Sequence, residues 1–264
     1  MKSYRVSSGR TVKKPRSYAI PIAVLVLVAV FISVKITGFD LSVILERGNQ
    51  FFIILARMVP PDFSYLPDIW NPLFDTIKMS LLGSLIGSLL AIPFAAVASA
   101  NIVKNRGVIA VTRLFLSLVR TLPTLVTALI ATYIFGLGTL AGTTAIVIFT
   151  FAYVGKSLYE QIETVDMGAF EAMEAMGTSK FRAFCGAVIP PVLPSYLSIC
   201  LFCFEGNVRY ASILGYVGAG GLGLILNQNI GWREYDNVGM ILLMLFLTVM
   251  VIESVSHYLR GKLI

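Results

Sequence analysis

Charge is scarce in this sequence. Of its 264 residues, only 13% are Asp, Glu, Lys or Arg, against about a quarter in a typical soluble domain. Hydrophobic residues make up 57%, and the mean hydropathy is +0.83. A chain this apolar would aggregate in water, which excludes a soluble fold and makes the bilayer its solvent. Histidine is scarcer still, with His257 alone near the end of the chain and without metal-ligating or catalytic companions. The three cysteines are Cys185, Cys200 and Cys203. Cys200-Leu-Phe-Cys203 has redox or metal spacing, but no second Cys or His pair accompanies it, so both read as small apolar packing residues.

A phosphate-binding loop is missing too. Gly155-Lys156-Ser157 looks like the end of one, but position 150, where the leading glycine belongs, is Thr150. Energy for any active process must therefore come from a partner or a gradient. No serine can be paired with a base, so a membrane enzyme lacks its catalytic constellation, and no cofactor is expected. The net charge of +7 does not imply nucleic acid, because Lys2, Arg5, Arg10, Lys13, Lys14 and Arg16 all lie in a basic tail over residues 1–17. A basic tail before an apolar run is a topology signal. The run Tyr18–Val34 that follows is long for a signal peptide and has no clear cleavage site, which marks an uncleaved anchor.

What is present is a series of apolar segments near the length of about 20 residues that a spanning helix needs. Six emerge, at roughly 18–36, 73–100, 108–136, 139–158, 192–217 and 238–259. The expected fold is an all-α membrane protein with about six transmembrane helices, residues 18–264 forming a single transmembrane domain. Arg113 and Arg120 interrupt the third segment, whose true span then begins near Leu122, with 108–120 along the cytoplasmic surface. With the N-terminus inside, the basic tail, Lys104, Arg106, Arg113, Lys156, Lys180, Arg182, Arg260 and Lys262 all face the cytoplasm. Only Lys35, Arg47, Arg57, Lys78 and Arg233 face outward, a bias that places both termini inside.

Two loops stand out. The outer loop 37–71 suggests an interfacial helix and then a proline-fixed turn at Pro60, Pro61 and Pro67. The inner loop 159–191 is the longest cytoplasmic connection. In the second segment Ser80, Gly83, Ser84, Gly87, Ser88 and Ala91 put small side chains on one helix face. That face serves either packing within one subunit or a dimer contact.

In the inner loop, Met167, Phe170, Met173 and Met176 recur every three residues, with Glu171 and Glu174 off the stripe. This spacing predicts a short amphipathic helix. Gly177 can end it in the left-handed conformation, and Thr178 or Ser179 can cap a second helix. Phe181, Phe184 and Val188 mark that helix's apolar face, closed by Pro190 and Pro191. Periodicity alone leaves the first helix either packed on its own bundle or inserted into a groove on a partner. Glu160, Glu163 and Asp166, just before it, read by default as a solvated face.

The fifth segment holds Glu205, Asn207 and Arg209 among apolar neighbours. A charge at mid-bilayer costs about 2.5–3.5 kcal/mol on insertion scales. Glu205 and Arg209, four apart with Glu first, either neutralise each other or line a polar path in which Arg209, with Arg120, attracts an anion. Gly218, Gly220 and Gly223 match the dinucleotide fingerprint, but the context lacks a βαβ unit. Flexible backbone near an outer gate, including Gly221, or a plain loop fits better.

Glu171-Ala172-Met173, Gly177, and Ile189-Pro190 resemble the "EAA" loop of bacterial ABC import permeases: Glu-Ala-Ala, three residues, Gly, nine residues, Ile-x-Leu-Pro. Met173, Ala187 and Ile189 replace the second Ala, the Ile and the Leu, keeping small or apolar character. Pro60-Pro61-Asp62-Phe63, Arg120-Thr121-Leu122-Pro123, Gly136-Leu137-Gly138 and the run Glu205 to Gly223 resemble the phosphonate-importer permeases, over roughly residues 50–260. The resemblance implies a MetI-like type I importer fold in a bacterial cell membrane. Glu171, Ala172, Met173, Gly177, Ile189 and Pro190 would then be a coupling loop seated on a cytoplasmic ATP-binding subunit dimer. It also implies a second permease chain (the same or a paralogue), an extracellular or periplasmic binding protein, and transport of a phosphorus oxyanion. The alternatives are another small solute or a gradient-driven carrier, which needs no such inner loop and usually shows an inverted repeat.

The topology is open to a direct test. A reporter that works only in the cytoplasm is expected to be active when fused after Ile264, and one that works only outside to be silent there. The reverse pattern would invert every loop assignment.

Overall fold

The computed structural model describes residues 3–5, 11–13 and 18–263. Lys2, Arg10, Lys14 and Arg16 of the basic tail lie outside the described residues. By its contacts the chain divides into two compact units, Met1–Ala56 and Arg57–Ile264.

The first unit holds an antiparallel ribbon of β1 (Ser3–Arg5) and β2 (Thr11–Lys13), with Tyr4 opposite Val12. Nothing in the tail's composition pointed to these strands. The unit continues with α1 (Ala19–Thr37) and α2 (Leu41–Arg57), the latter falling where an interfacial helix was expected. Gly38, left-handed at φ 63°, ends α1.

The second unit opens with a proline-rich turn containing a cis Val59–Pro60 bond. Asp62 then caps a single 3-10 turn, Phe63–Tyr65, its carboxylate accepting from the Ser64 hydroxyl and amide at 2.8 Å each. Those two bonds hold the Asp62 carboxyl below its ordinary range. Six longer helices follow: α3 (Leu66–Ala98), α4 (Arg106–Thr121), α5 (Thr124–Phe135), α6 (Thr139–Glu163), and, beyond the inner loop, α9 (Ile189–Leu214) and α11 (Tyr235–Leu263). Within the loop lie α7 (Gly168–Ala175) and α8 (Lys180–Ala183), and α10 (Leu222–Trp232) precedes α11. Among the described residues, five helical stretches are long and apolar enough to cross a membrane, or six if α4 and α5 count as one broken span.

That pair is bent by 86°. The cause is local: Leu122 precedes Pro123, and the proline ring forces its neighbour out of the helical region, here to φ −71°, ψ 121°. The expected change of direction near Leu122 is thus a near right angle.

The frame of this unit is α3 against α6. Ser80, Gly83, Ser84, Gly87, Ser88 and Ala91 are all buried, and Gly83 and Gly87 meet α6 at backbone distance. A Cβ on Gly87 would fall 2.7 Å from the Val147 carbonyl oxygen, and one on Gly83 would fall 2.5 Å from Ile146 Cγ2. The small-residue face therefore serves packing within the subunit. Lipid gives helices no hydrophobic reason to associate, so close van der Waals contact of this kind does the work.

Pro190 and Pro191 do not close the second inner helix. A continuous rod runs from α8 through a π turn, Phe184–Val188, into α9, and the two prolines sit in the first turn of α9. Proline costs little in a first turn, where its missing N–H has no intrahelical partner to lose.

Replacing Gly87 by Leu forces α3 and α6 apart. Overpacking of this kind costs about 1–3 kcal/mol, so the purified protein is expected to melt several degrees lower in detergent. Gly261→Ala, where an added Cβ meets nothing within 4 Å, serves as the control. Equal melting of both variants would contradict the α3–α6 contact.

Candidate functional site

The inner loop is built as two rods joined at Gly177. Asp166 Oδ1 accepts from the Gly168 amide at 2.9 Å and so starts α7. Phe170 is buried among Leu158, Tyr159, Ile162, Ala183 and Val188, with Met167 and Met173 packed against the same cluster. The stripe thus faces the chain's own bundle, while its last member, Met176, is 75% exposed. Glu171 and Ala172 are exposed on the other side.

Gly177 has φ 82°; its amide donates to the Glu174 carbonyl at 2.9 Å, and the Thr178 amide donates to the Met173 carbonyl at 3.1 Å. This pair of bonds is a Schellman motif, which requires the left-handed residue where glycine stands. Ser179 takes the extended N-cap conformation before α8, without a side-chain capping bond. Phe181, next on the rod, is 76% exposed. Met176 and Phe181 therefore flank the turn as two bare apolar side chains, with Glu171 at the other end of α7. Behind them, Met173 rests on the π turn: a Cβ on Gly186 would lie 3.1 Å from its Cε. Ile189 is partly buried and Pro190 exposed where α9 begins.

The polar residues of α9 separate into two groups. Glu205 is only 5% exposed. Its carboxylate accepts from Arg209, one turn along α9, and from Arg260 of α11, whose Nη2 lies 3.4 Å from Oε2. Arg209, with half its side chain exposed, also faces Glu253 of α11 at 4.0 Å. Asn207 points elsewhere, donating to Ser84 Oγ of α3 and Thr150 Oγ1 of α6 at 2.8 Å each. It is a clamp between helices, not a neighbour of the charges. Arg260 is the member that sequence reasoning missed, since nothing in the local spacing of α11 points to α9. The only available signal was energetic: one partly exposed arginine is thin cover for a buried acid.

Arg120 lies apart, at the exposed end of α4 with its guanidinium 5.3 Å from the centre of the Tyr153 ring. A row of rings runs from it toward the charged group. Tyr153 stacks on Phe149 at 6.0 Å, and Phe149 meets Tyr210 edge-on at 5.9 Å. Tyr210 follows Arg209 in sequence, so the row has an arginine at each end.

The glycine-rich segment is a packed corner, not slack chain. Ala219, Gly220, Gly221, Leu222 and Gly223 are all buried. A Cβ on Gly215 would fall 2.2 Å from Gly223 C, and one on Gly223 would fall 2.0 Å from the Ser212 carbonyl oxygen. Gly218 accepts from the Gly138 amide at 3.0 Å, and Leu222 N donates to Thr76 Oγ1 at 2.7 Å, so the corner is bound to both α6 and α3. Helices flank it on each side, which is not the setting of a dinucleotide loop. A cleft of about 460 Å³ between α3, α9 and α11, lined by Leu85, Tyr196, Cys200, Phe204 and Leu259, is almost wholly apolar.

Comparison with known proteins gives these features a context. The family described as "Binding-protein-dependent transport system inner membrane component" matches residues 83–260. The phosphate-import permease protein PhnE of Mycolicibacterium smegmatis is 32% identical over 80% of this chain, which spans 40% of that protein's length. The phosphite transport system permease protein PtxC of Stutzerimonas stutzeri is 31% identical over 84% of this chain and 80% of its own length. Among solved structures, an inward-facing MetNI methionine ABC transporter superposes with a TM-score of 0.68 at 18% identity, over 77% of this chain and 99% of the matched one. That likeness is one of fold.

The charge cluster makes a graded prediction. Truncating one partner of a buried pair costs about 3–5 kcal/mol, whereas an exposed pair is worth about 1 kcal/mol or less. Arg209→Ala combined with Arg260→Ala leaves Glu205 buried and unpaired and should therefore lower the melting temperature far more than Glu205→Ala, which leaves two partly exposed arginines. Equal effects would show that Glu205 is solvated.

Proposed function

This chain belongs to the family of binding-protein-dependent transport system inner membrane components, and on that basis we propose that it is the multi-pass permease subunit of an ATP-driven importer for a phosphorus oxyanion. The observation that carries the reading is the inner loop. A helix whose inner stripe is buried, whose tip shows Met176 and Phe181, and whose first turn exposes Glu171, is firmly mounted and yet presents an apolar end. Such a tip suits a groove on an ATPase. Glu171, Ala172, Met173, Gly177, Ile189 and Pro190 form this coupling loop, and a dimer of ATP-binding subunits supplies the hydrolysis.

The remaining partners follow from the family's name and from the relatives' assemblies. An external binding protein delivers the solute, and a second permease chain completes the path. The exposed flank of α9, with Phe202, Arg209, Tyr210, Ile213 and Tyr216, is the surface we assign to that path and to the facing permease. Arg209 and Arg120 contribute cationic character there, tempered at Arg209 by Glu205 and Glu253. The packed glycine corner, Gly218, Gly220, Gly221 and Gly223, serves as a rigid stop at the outer end of the path. The relatives are named for phosphate and phosphite import, which supports a tetrahedral phosphorus oxyanion as solute.

Transport proceeds by alternating access. ATP closes the ATPases, the coupling loops move with them, and the spans tilt to open the cavity outward. Substituting Gly177 by Val strains the left-handed turn that orients the tip. In proteoliposomes holding the complete transporter, uptake per ATP hydrolysed is expected to fall about tenfold, within the range of coupling between distant sites. An unchanged ratio would argue against the loop assignment. Uptake of phosphate, phosphite and methylphosphonate in a deletion strain ranks the solutes, and transport of none of them would refute the oxyanion reading.

A further inference from the structure

Two helix ends meet just ahead of the coupling helix, and a single arginine from the middle of α4 joins them. Arg113 of α4 donates through Nη2 to the Glu163 carboxylate at the end of α6. Its Nε donates to the Ala98 carbonyl at the end of α3, at 2.9 Å. Its guanidinium also lies over the Tyr159 ring of α6, 4.8 Å from the centre. Glu163 Oε1 accepts in addition from the Ala100 amide at 2.7 Å. Asn101 completes the joint, donating to the Ile162 carbonyl at 2.7 Å and lying 3.3 Å from the sulfur of Met167, the residue just before α7.

Each acid of the run before the coupling helix has its own task. Glu160 pairs with Lys156 on the same helix at 3.8 Å, and Asp166 starts α7. Glu163 reaches across to two other elements, so the run is not simply a solvated face. A carboxylate at the C-terminal end of a helix opposes that helix's dipole, so Glu163 is ill placed for α6 taken alone. Arg113 resolves this, and its cation also suits the negative end of α3 at Ala98. Only residues 164–167 separate Glu163 from α7, and two turn bonds, Thr164 N to Gln161 O at 3.0 Å and Val165 N to Ile162 O at 3.3 Å, tighten that link. A displacement of α7 therefore loads Glu163 directly. Arg113 passes the load to α3 and along α4, which ends at the bend at Leu122–Pro123.

We propose that Arg113 and Glu163 are positioning residues that transmit movement of the coupling helix into the spans. The inference rests on the coupling-loop reading above and names the route by which that loop acts. Arg113→Ala and Glu163→Gln are tested in the complete transporter in proteoliposomes, using whichever of phosphate, phosphite and methylphosphonate the unmodified protein takes up. ATP hydrolysis, uptake and melting temperature are recorded together. Uptake per ATP is expected to fall about fivefold or more, the lower end of typical coupling between sites, with hydrolysis retained. Arg113→Lys keeps the cation and loses the Nε bond to Ala98, so its ratio should be intermediate. If Arg113→Ala does not assemble, Arg113→Lys and Glu163→Asp carry the test.

A merely structural joint would lower yield or melting temperature and leave the ratio untouched, which would overturn the proposal. Gly177→Val in parallel separates the two readings. If it uncouples while the Arg113 and Glu163 variants do not, the transmission route alone falls. If none of them changes the ratio, the coupling loop falls and the route with it.

Discussion

The backbone-close contact of α3 with α6 is the constraint on which the rest of the second unit depends. Gly83 and Gly87 leave room for the carbonyls and side chains of α6 where any larger residue would collide. Once these two helices are joined, their other features fall into place around the seam. Asn207 can reach Ser84 and Thr150 together only because those residues lie side by side across it. The glycine corner is received by Thr76 on one helix and by the Gly138 turn on the other. At the opposite end, Ala98 and Glu163 come near enough for one guanidinium to hold both. In a solvent of hydrocarbon, shape and hydrogen bonding must supply the association that water would otherwise drive.

Charge is used sparingly and always against the same background. Glu205 is covered by arginines from two helices, and Glu163 by an arginine and a backbone amide. Both clusters join elements far apart in sequence, as expected where an uncompensated ion costs several kcal/mol. They differ in surroundings: Glu205 sits within the helix bundle, whereas Glu163 is partly open beside the inner loop. That contrast fits a lock in the first place and a working joint in the second.

Much of this was legible in the residues. Hydropathy located the long helices because apolar length is a property of each segment alone. The Glu171–Gly177 turn was legible for a similar reason, since a left-handed glycine after an amphipathic run is a local event. What depended on partners was not. Periodicity of Met167, Phe170 and Met173 could not say which surface the stripe met, and the bundle turned out to be the answer for all but the tip. Pro190 and Pro191 read as a stop, because a proline pair is compatible with either end of a helix until its hydrogen bonds are known. The glycines at 218–223 read as slack chain because close approach and flexibility call for the same residue. Arg113 read as a break in a hydrophobic run and an inward-facing charge, and its bonds reach two helix ends 15 and 50 positions away.

The π turn at Phe184–Val188 gives the spacing between the two halves of the inner loop a particular meaning. It is one turn of wider circumference inside a rod that is otherwise α-helical from Lys180 to Leu214. Adding or removing one residue there would rotate α8 by about 100° relative to α9. Phe181 would leave the exposed tip, and Met173 would lose the smooth patch at Gly186 on which α7 rests. The interval from Gly177 to Pro190 is thus a matter of phase more than of reach: it sets the direction in which the tip faces, as the teeth of a key depend on the angle of its shaft.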